Sequence, residues 1–293
     1  MSIHTTIMTM LNQISFEMQS ALEHFNEHRN TLKMTTGSAE LDSLIDGIQE
    51  GIFYLFYGST NNNNNKNHVV LDAMVYRLLI NCVLPIKQKH GYESMGVCFN
   101  NIDYYGQRNI GTTGGANGAL SPEKIGIAAK CSGIDPKFVF KNLYVHPAYS
   151  EQHQLMVAEK VADLIESNKD IKLLVVNNLT KFFKESKSKD RMETANILKQ
   201  VIGTLCKTCA KNKVALVCTG DANPTARGII PRPIGGVYLK HAANVIVYFK
   251  EFSTASTTTI PSFKATLIKH QYSKTPKSTT VYVRKSGGMM LLD

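Results

Sequence analysis

A glycine, a run of small polar residues and a lysine ahead of an apolar stretch occur together in "FYGSTNNNNNKNHVVLDAMVY", Phe56 to Tyr76. Gly58, Ser59, Thr60, Lys66 and Asn67 are the kinds of residue from which a phosphate-binding loop is built. In such a loop, backbone N–H groups and a helix N-terminus wrap a phosphate, a lysine neutralises it, and the hydroxyl after the lysine holds Mg²⁺. The spacing departs from G-x-x-x-x-G-K-[ST]: Gly58 to Lys66 is two residues longer, asparagines replace the second glycine, and Asn67 follows the lysine. Asparagine tolerates positive φ better than most residues, so one reading keeps a distorted anion-binding nest and the other is a polar loop with no ligand. Asn67 offers an amide oxygen, a poorer Mg²⁺ ligand than a hydroxyl in this geometry. A second position belongs to the same chemistry. In "KLLVVNNLTKFF" an apolar run ends at Asn177, where phosphate-loop ATPases carry an aspartate that orients the water shell of Mg²⁺. An uncharged Asn177 predicts weakened metal affinity.

The elements that must position these residues follow from periodicity and punctuation. Strands are expected over Ile52–Tyr57, 94–100, "NLYVHPA", "IKLLVVNNL" and "VALVCTG", with helices from about Ser38, over Lys66–Ile80, "SPEKIGIAAKCSG", "SEQHQLMVAEKVADLIESN" and Met192–Asn212. A strand-rich end follows, with "HAANVIVYFKE", "SFKATLIKH" and "TTVYVRK". Strands alternating with helices and then hairpin-like strands give an α/β fold class: a mostly parallel sheet flanked by helices, with an antiparallel C-terminal edge. Ile14, Met18, Ala21, Leu22 and Phe25 predict an amphipathic N-terminal helix, and "GTTGGANGAL" (111–120) reads as a glycine-rich surface insertion.

Charge is divided unevenly. Residues 1–180 hold 14 Lys+Arg against 17 Asp+Glu, a net of −3, whereas residues 181–293 hold 19 against 6, a net of +13. The basic part favours a polyanionic partner, because neutralising phosphates releases counterions; a merely solubilising surface is the alternative. The start of the chain has no leader pattern and no apolar run is long enough for a membrane span, so a soluble, cytoplasmic protein with no membrane partner is expected. Six scattered cysteines read as reduced core thiols. "CKTC" at Cys206 to Cys209 has redox spacing but lies in a helical pattern, which assigns it to a buried helix face.

From about Phe16 to Asp293 the sequence resembles the ATPase core of the archaeal RadA and eukaryotic recombinase family, within the RecA-like class. The segments that carry the resemblance are "MTTGSAELDSLIDG", "LSPEKIGIAAKCSGIDPKFVFKNLYVHPAYSEQHQLMVAEKVADLI", "IKLLVVNNLTKFF", "RPIGGVYLKHAANVIVYFK" and "ATLIKH". The family's N-terminal helix-hairpin-helix domain has no counterpart, as in the short RadA paralogues. The division implied is a helix and linker over 1–33 and a RecA-like core over 34–293. The resemblance implies ATP and Mg²⁺ as the family's ligands, yet Asn67 stands in place of the Mg²⁺-binding hydroxyl and Asn177 in place of the aspartate. Ile102 matches the glutamate that activates the hydrolytic water, with Asp103, one residue on, as the weak candidate base. Gly220 and Asp221 replace a phosphate-sensing Asn-Gln pair. Positioning and charge stabilisation supply nearly all of this catalysis, so four substitutions predict that hydrolysis is lost.

The family's two DNA-binding loops match "KESKSKDR" and "DANPTARGIIPRPIGG". Lys184, Lys187, Lys189, Arg191, Arg227 and Arg232 are the expected phosphate contacts, and Gly235 and Gly236 suit a close backbone turn into the next helix. Neither loop has an aromatic residue, so backbone contacts rather than base stacking are expected from them. Phe16 and Ala21 do not have the spacing of the family's polymerisation motif. Lys269, His270 and Pro276 resemble a segment that covers ATP on an adjacent subunit; a surface turn explains them equally well. The leading expectation is a RadA paralogue that binds DNA, single-stranded by preference, and acts in or regulates recombination and repair without efficient ATP turnover. The alternatives are an active DNA-dependent ATPase using Lys66, Asn67 and Asp103, and a non-DNA scaffold that pairs with a RadA-type recombinase.

Overall fold

The computed structural model describes residues 33–58, 66–86, 91–101, 122–183, 191–223, 230–251, 261–286 and 289–292. The expected N-terminal helix, residues 1–32 and the 111–120 insertion lie outside them. Among the described residues, nine strands form one sheet in the order β3-β2-β4-β5-β1-β6-β7-β8-β9. β1 (Phe53–Gly58), β2 (Met95–Asn101), β3 (Leu143–Ala148), β4 (Ile171–Asn177), β5 (Ala215–Asp221) and β6 (Val245–Glu251) pair in parallel. β7 (Ser262–Lys269), β8 (Lys277–Ser286) and β9 (Met289–Leu292) continue it antiparallel. This is the expected mostly parallel α/β sheet with an antiparallel C-terminal edge.

The central strands read as unbroken apolar runs because both their faces are covered. On one face, Tyr54 and Phe56 of β1 and Leu173 and Val175 of β4 pack against helices α1 (Ala39–Ile45) and α2 (Lys66–Val83). On the other face, Phe53, Leu55 and Tyr57 of β1 and Leu174 and Val176 of β4 meet α5 (Glu151–Ser167) and α6 (Arg191–Lys211). Helix starts follow their caps. The Ser38 hydroxyl accepts from Leu41 N at the head of α1, and Ser150 accepts from His153 N at the head of α5. α5 then buries Val157, Ala158, Val161 and Ile165, the i, i+1, i+4, i+8 stripe of a helix lying on a sheet.

Helix α3 (Pro122–Cys131) leads into α4 (Pro136–Lys141), whose six residues are too few for a helical period to show in the sequence. Asp135 caps α4 by accepting from Lys137 N, and Pro136 opens it. α7 (Gly236–Ala242) takes His241 and Ala242 from the front of the strand expected at "HAANVIVYFKE". β9 was also not anticipated; four residues are too short for alternation to show. Among the described residues no helix is long and apolar enough to cross a membrane. All six cysteines are free thiols; burial pushes Cys206 up to about 12 and raises Cys209 further, as a buried face of α6 implies.

Candidate functional site

The parallel strands deliver their carboxyl ends to one rim, where open α/β sheets bind ligands. Register fixes the neighbours: Gly58 of β1 lies beside Asp221 of β5, and Asn100 of β2 beside Asn177 of β4. Ala222 N–H donates to Gly58 O at 2.8 Å, which ties the end of β1 to the segment leaving β5. α2 begins at Lys66, so β1 and α2 flank residues 59–65. Ser59, Thr60 and the side chains of Lys66 and Asn67 lie outside the described residues.

At the end of β4 the side chain of Asn177 is committed within the fold. Its Oδ1 accepts the Thr219 hydroxyl at 2.7 Å, and the same hydroxyl accepts from Asn178 N at 2.8 Å. Asn101 Nδ2 donates to the carbonyls of Asn177 and Asn178 at 3.2 and 3.1 Å, and Gln154 Nε2 donates to Leu179 O at 3.1 Å. Asn101, Gln154, Asn177, Thr180 and Thr219 are all buried. Asn101 Oδ1, Gln154 Oε1, Asn178 Oδ1 and Thr180 Oγ1 have no hydrogen-bond partner among the described residues. The described ends of β1, β2 and β4 thus offer amides and hydroxyls only; Asp221, 1% exposed, brings a carboxylate at the end of β5. Among the described residues no group of three or more His, Cys, Asp or Glu is placed to hold a metal. This donor set fits a Mg²⁺ ion held from the end of β4 poorly, because the Asn177 amide oxygen that would serve it carries no charge. Asp103 lies outside the described residues.

One further group near this helix titrates unusually. Burial raises the carboxyl of Asp72, in the second turn of α2, to about 7, with Lys124 of α3 acting the other way. The Asp72 side chain is half-buried.

The profile of the Rad51 family matches residues 27–259. The chain belongs to the Rad51 family. A protein named "DNA repair and recombination protein RadA" from Methanococcus maripaludis is 26% identical over 259 residues, covering 84% of this chain and 74% of the relative. A protein of the same name from Aeropyrum pernix is 26% identical over 244 residues, covering 81% and 69%.

Within this Rad51-family fold, the second loop leaves β5 and returns to α7 by a fixed base. Asn223 N donates to Arg232 O at 2.7 Å, Ile234 N to Asp221 O at 2.8 Å, and the Tyr57 hydroxyl to Pro231 O at 2.8 Å. Arg232 is exposed beside these anchors. Gly235 and Gly236 have φ of 105° and 72°, and a Cβ on Gly235 would meet Leu239 Cδ2 at 2.8 Å. Only glycine fits there, so the turn into α7 forms as the two glycines predict. Lys184, Lys187, Lys189 and Arg227 lie outside the described residues, as does the side chain of Arg191. Lys269 donates to the carbonyls of Lys240, His241 and Ala243 at 3.2, 3.0 and 2.6 Å, capping α7. His270 accepts from the backbone N–H groups of Tyr272 and Ser273 and meets Ile45 O at 3.2 Å. Both side chains therefore hold this chain's own turn.

Sequence reading missed a basic surface on the antiparallel strands. Lys250 of β6 lies directly opposite Lys264 of β7, which lies opposite Thr280 of β8. Both lysines are exposed, and neither has an acidic partner among the described residues. The other face of these strands carries buried Phe249, Phe263, Ala265, Val281 and Val283. Like charges facing each other across a ladder oppose folding, so this arrangement is conspicuous. The signal was present as alternation, "FKATLIK" and "TTVYVRK", but which lysines share a row depends on register.

Proposed function

We propose that this chain is a DNA-binding RadA-like paralogue that acts in, or regulates, homologous recombination and DNA repair, with ATP hydrolysis lost. Family membership and the names of the relatives support the recombination and repair role. The observation that carries the finer reading is a contrast within one sheet. At the end of β4 an uncharged Asn177 is held by Thr219, while at the antiparallel edge Lys250 and Lys264 stand opposite each other with no acidic partner among the described residues.

Phosphoryl transfer needs charge placed around the nucleotide phosphates and the metal. The described strand ends fit Mg²⁺ held from β4 poorly, so no hydrolytic step is assigned to them. When bound, a nucleotide would meet Gly58, Ser59, Thr60, Lys66 and Asn67, of which Lys66 is the residue that neutralises phosphate. The polyanion contacts are Lys184, Lys187, Lys189, Arg191, Arg227 and Arg232 on the two loops, with Gly235 and Gly236 bringing backbone close, and Lys250 and Lys264 on the sheet. These contacts read the phosphate backbone and carry no sequence preference. A RadA-type recombinase subunit is the expected protein partner.

Binding of a fluorescent single-stranded oligonucleotide across a salt series, with calorimetry of ATP in the presence and absence of Mg²⁺, tests this function. Salt-sensitive DNA binding with no Mg²⁺-dependent gain in nucleotide affinity is expected. No oligonucleotide binding at low salt, or tight Mg²⁺-dependent nucleotide binding, would overturn it.

A further inference from the structure

We infer that Tyr282 is a base-stacking platform for single-stranded nucleic acid, set beside the Lys250 and Lys264 row. The inference rests on the DNA-binding reading and adds a contact to bases that neither loop supplies. Residues directly opposite in an antiparallel ladder point to the same face, so Tyr282 shares a face with Ser262, one row on from the Lys250–Lys264–Thr280 row. Tyr282 and Lys264 are diagonal neighbours, roughly 7–8 Å apart.

The ring is 47% exposed, although its neighbours in β8, Val281 and Val283, are fully buried on the opposite face. Among the described residues it has no hydrogen-bond partner and no aromatic neighbour. α5 and α6 pack over the central strands, and the described residues place no helix over this face of β8. A large aromatic side chain at this exposure on paired backbone presents ring surface to solvent.

Charge selects the occupant. The one acid in β6, β7 and β8 is Glu251, which lies opposite buried Phe263 and so belongs to the other face. Among the described residues, this face holds two lysines without acidic partners, an aromatic ring, the Thr280 hydroxyl and no acid, which matches a strand of alternating phosphate and base: lysines take phosphates and the ring takes a base. A duplex keeps its bases stacked inside and leaves the ring without a partner. The contact therefore discriminates single strands from duplex, which the lysines alone cannot do.

Because the chain has no tryptophan, Tyr282→Trp introduces a sole tryptophan reporter. In the full chain, titration with a dT oligonucleotide is expected to quench that tryptophan, whereas the matching duplex, an abasic oligonucleotide of equal length and polyglutamate are expected not to. Tyr282→Leu is expected to weaken single-strand binding roughly 5- to 100-fold while leaving the salt slope unchanged, and Tyr282→Phe to retain the affinity. If wild-type protein binds the oligonucleotide, yet Tyr282→Leu binds equally well and Tyr282→Trp is not quenched, the stacking inference falls while DNA binding stands. Quenching by polyglutamate equal to that by dT would assign the face to an acidic protein and overturn it. If wild-type protein binds no oligonucleotide at all, the DNA-binding reading itself fails.

Discussion

The Thr219 hydroxyl donates to Asn177 Oδ1 at 2.7 Å and accepts from Asn178 N at 2.8 Å, so one side chain of β5 closes the end of β4. The bond is buried and joins two adjacent strands at the rim where a nucleotide would sit. It clamps the ends of β4 and β5 to each other.

Thr219→Val removes that clamp while keeping the shape of the side chain. It leaves Asn177 Oδ1 and Asn178 N without this partner, at an expected cost of about 1–3 kcal/mol in urea denaturation. A change within experimental error would show that the clamp is not structural.

Asn177→Asp places a carboxylate at the end of β4, in a buried setting of amides and hydroxyls. Burial raises the pKa of the new carboxyl, so the variant is expected to lose stability at pH 8 and recover it as pH falls through that raised value. No phosphate release is expected from the variant, because Asn67 and Ile102 remain. Thermal melts across pH, run beside a phosphate assay, check both statements.

Lys264→Gln separates a binding lysine from a structural one by two readouts of opposite sign. Relieving the repulsion with Lys250 should stabilise the fold by roughly 0.2–1 kcal/mol. Single-strand affinity should fall, with the log–log salt slope shallower by about 0.7, the value for one phosphate contact. A lysine that merely solubilises the surface would leave the slope alone.

Asp72 gives a pH dependence of definite sign. Its folded carboxyl is raised to about 7, so between the ordinary aspartate range and pH 7 the native state keeps a proton that the unfolded chain has released. Stability therefore falls as pH rises through this window and levels off above about 7. Asp72→Asn should flatten that part of the profile and be more stable than wild type at pH 9 by about 1–2 kcal/mol, the shift being discounted for the partial solvent access of the side chain.

Gly235→Ala is predicted to be severe for its size. The residue combines φ of 105° with a Cβ position 2.8 Å from Leu239 Cδ2, so strain and a clash add. A loss of about 2 kcal/mol or more is expected, with the start of α7 displaced and oligonucleotide affinity reduced.

Much of this molecule was legible because its signals are local. β1 and β4 announce themselves as apolar runs, α5 by a serine cap and one apolar stripe, and the Gly235-Gly236 pair by a need for positive φ. α4 was hidden because six residues do not establish a helical period, and β9 because four do not establish alternation. The candidate nucleotide site was read from what is missing, at Asn67, Asn177 and Ile102. The hydrogen bonds that join the strand ends were not legible, since Thr219, Asn101 and Gln154 come from β5, β2 and α5 and meet only in three dimensions. The Lys250–Lys264 row and Tyr282 likewise depend on strand register, which alternation alone does not fix.

The most direct test of DNA binding without ATP turnover measures oligonucleotide occupancy and phosphate release in the same sample, with saturating single-stranded DNA, ATP and Mg²⁺. The expected result is near-complete occupancy with phosphate release no higher than in the Lys66→Ala variant. Phosphate release that rises with bound DNA and disappears in Lys66→Ala would contradict the account.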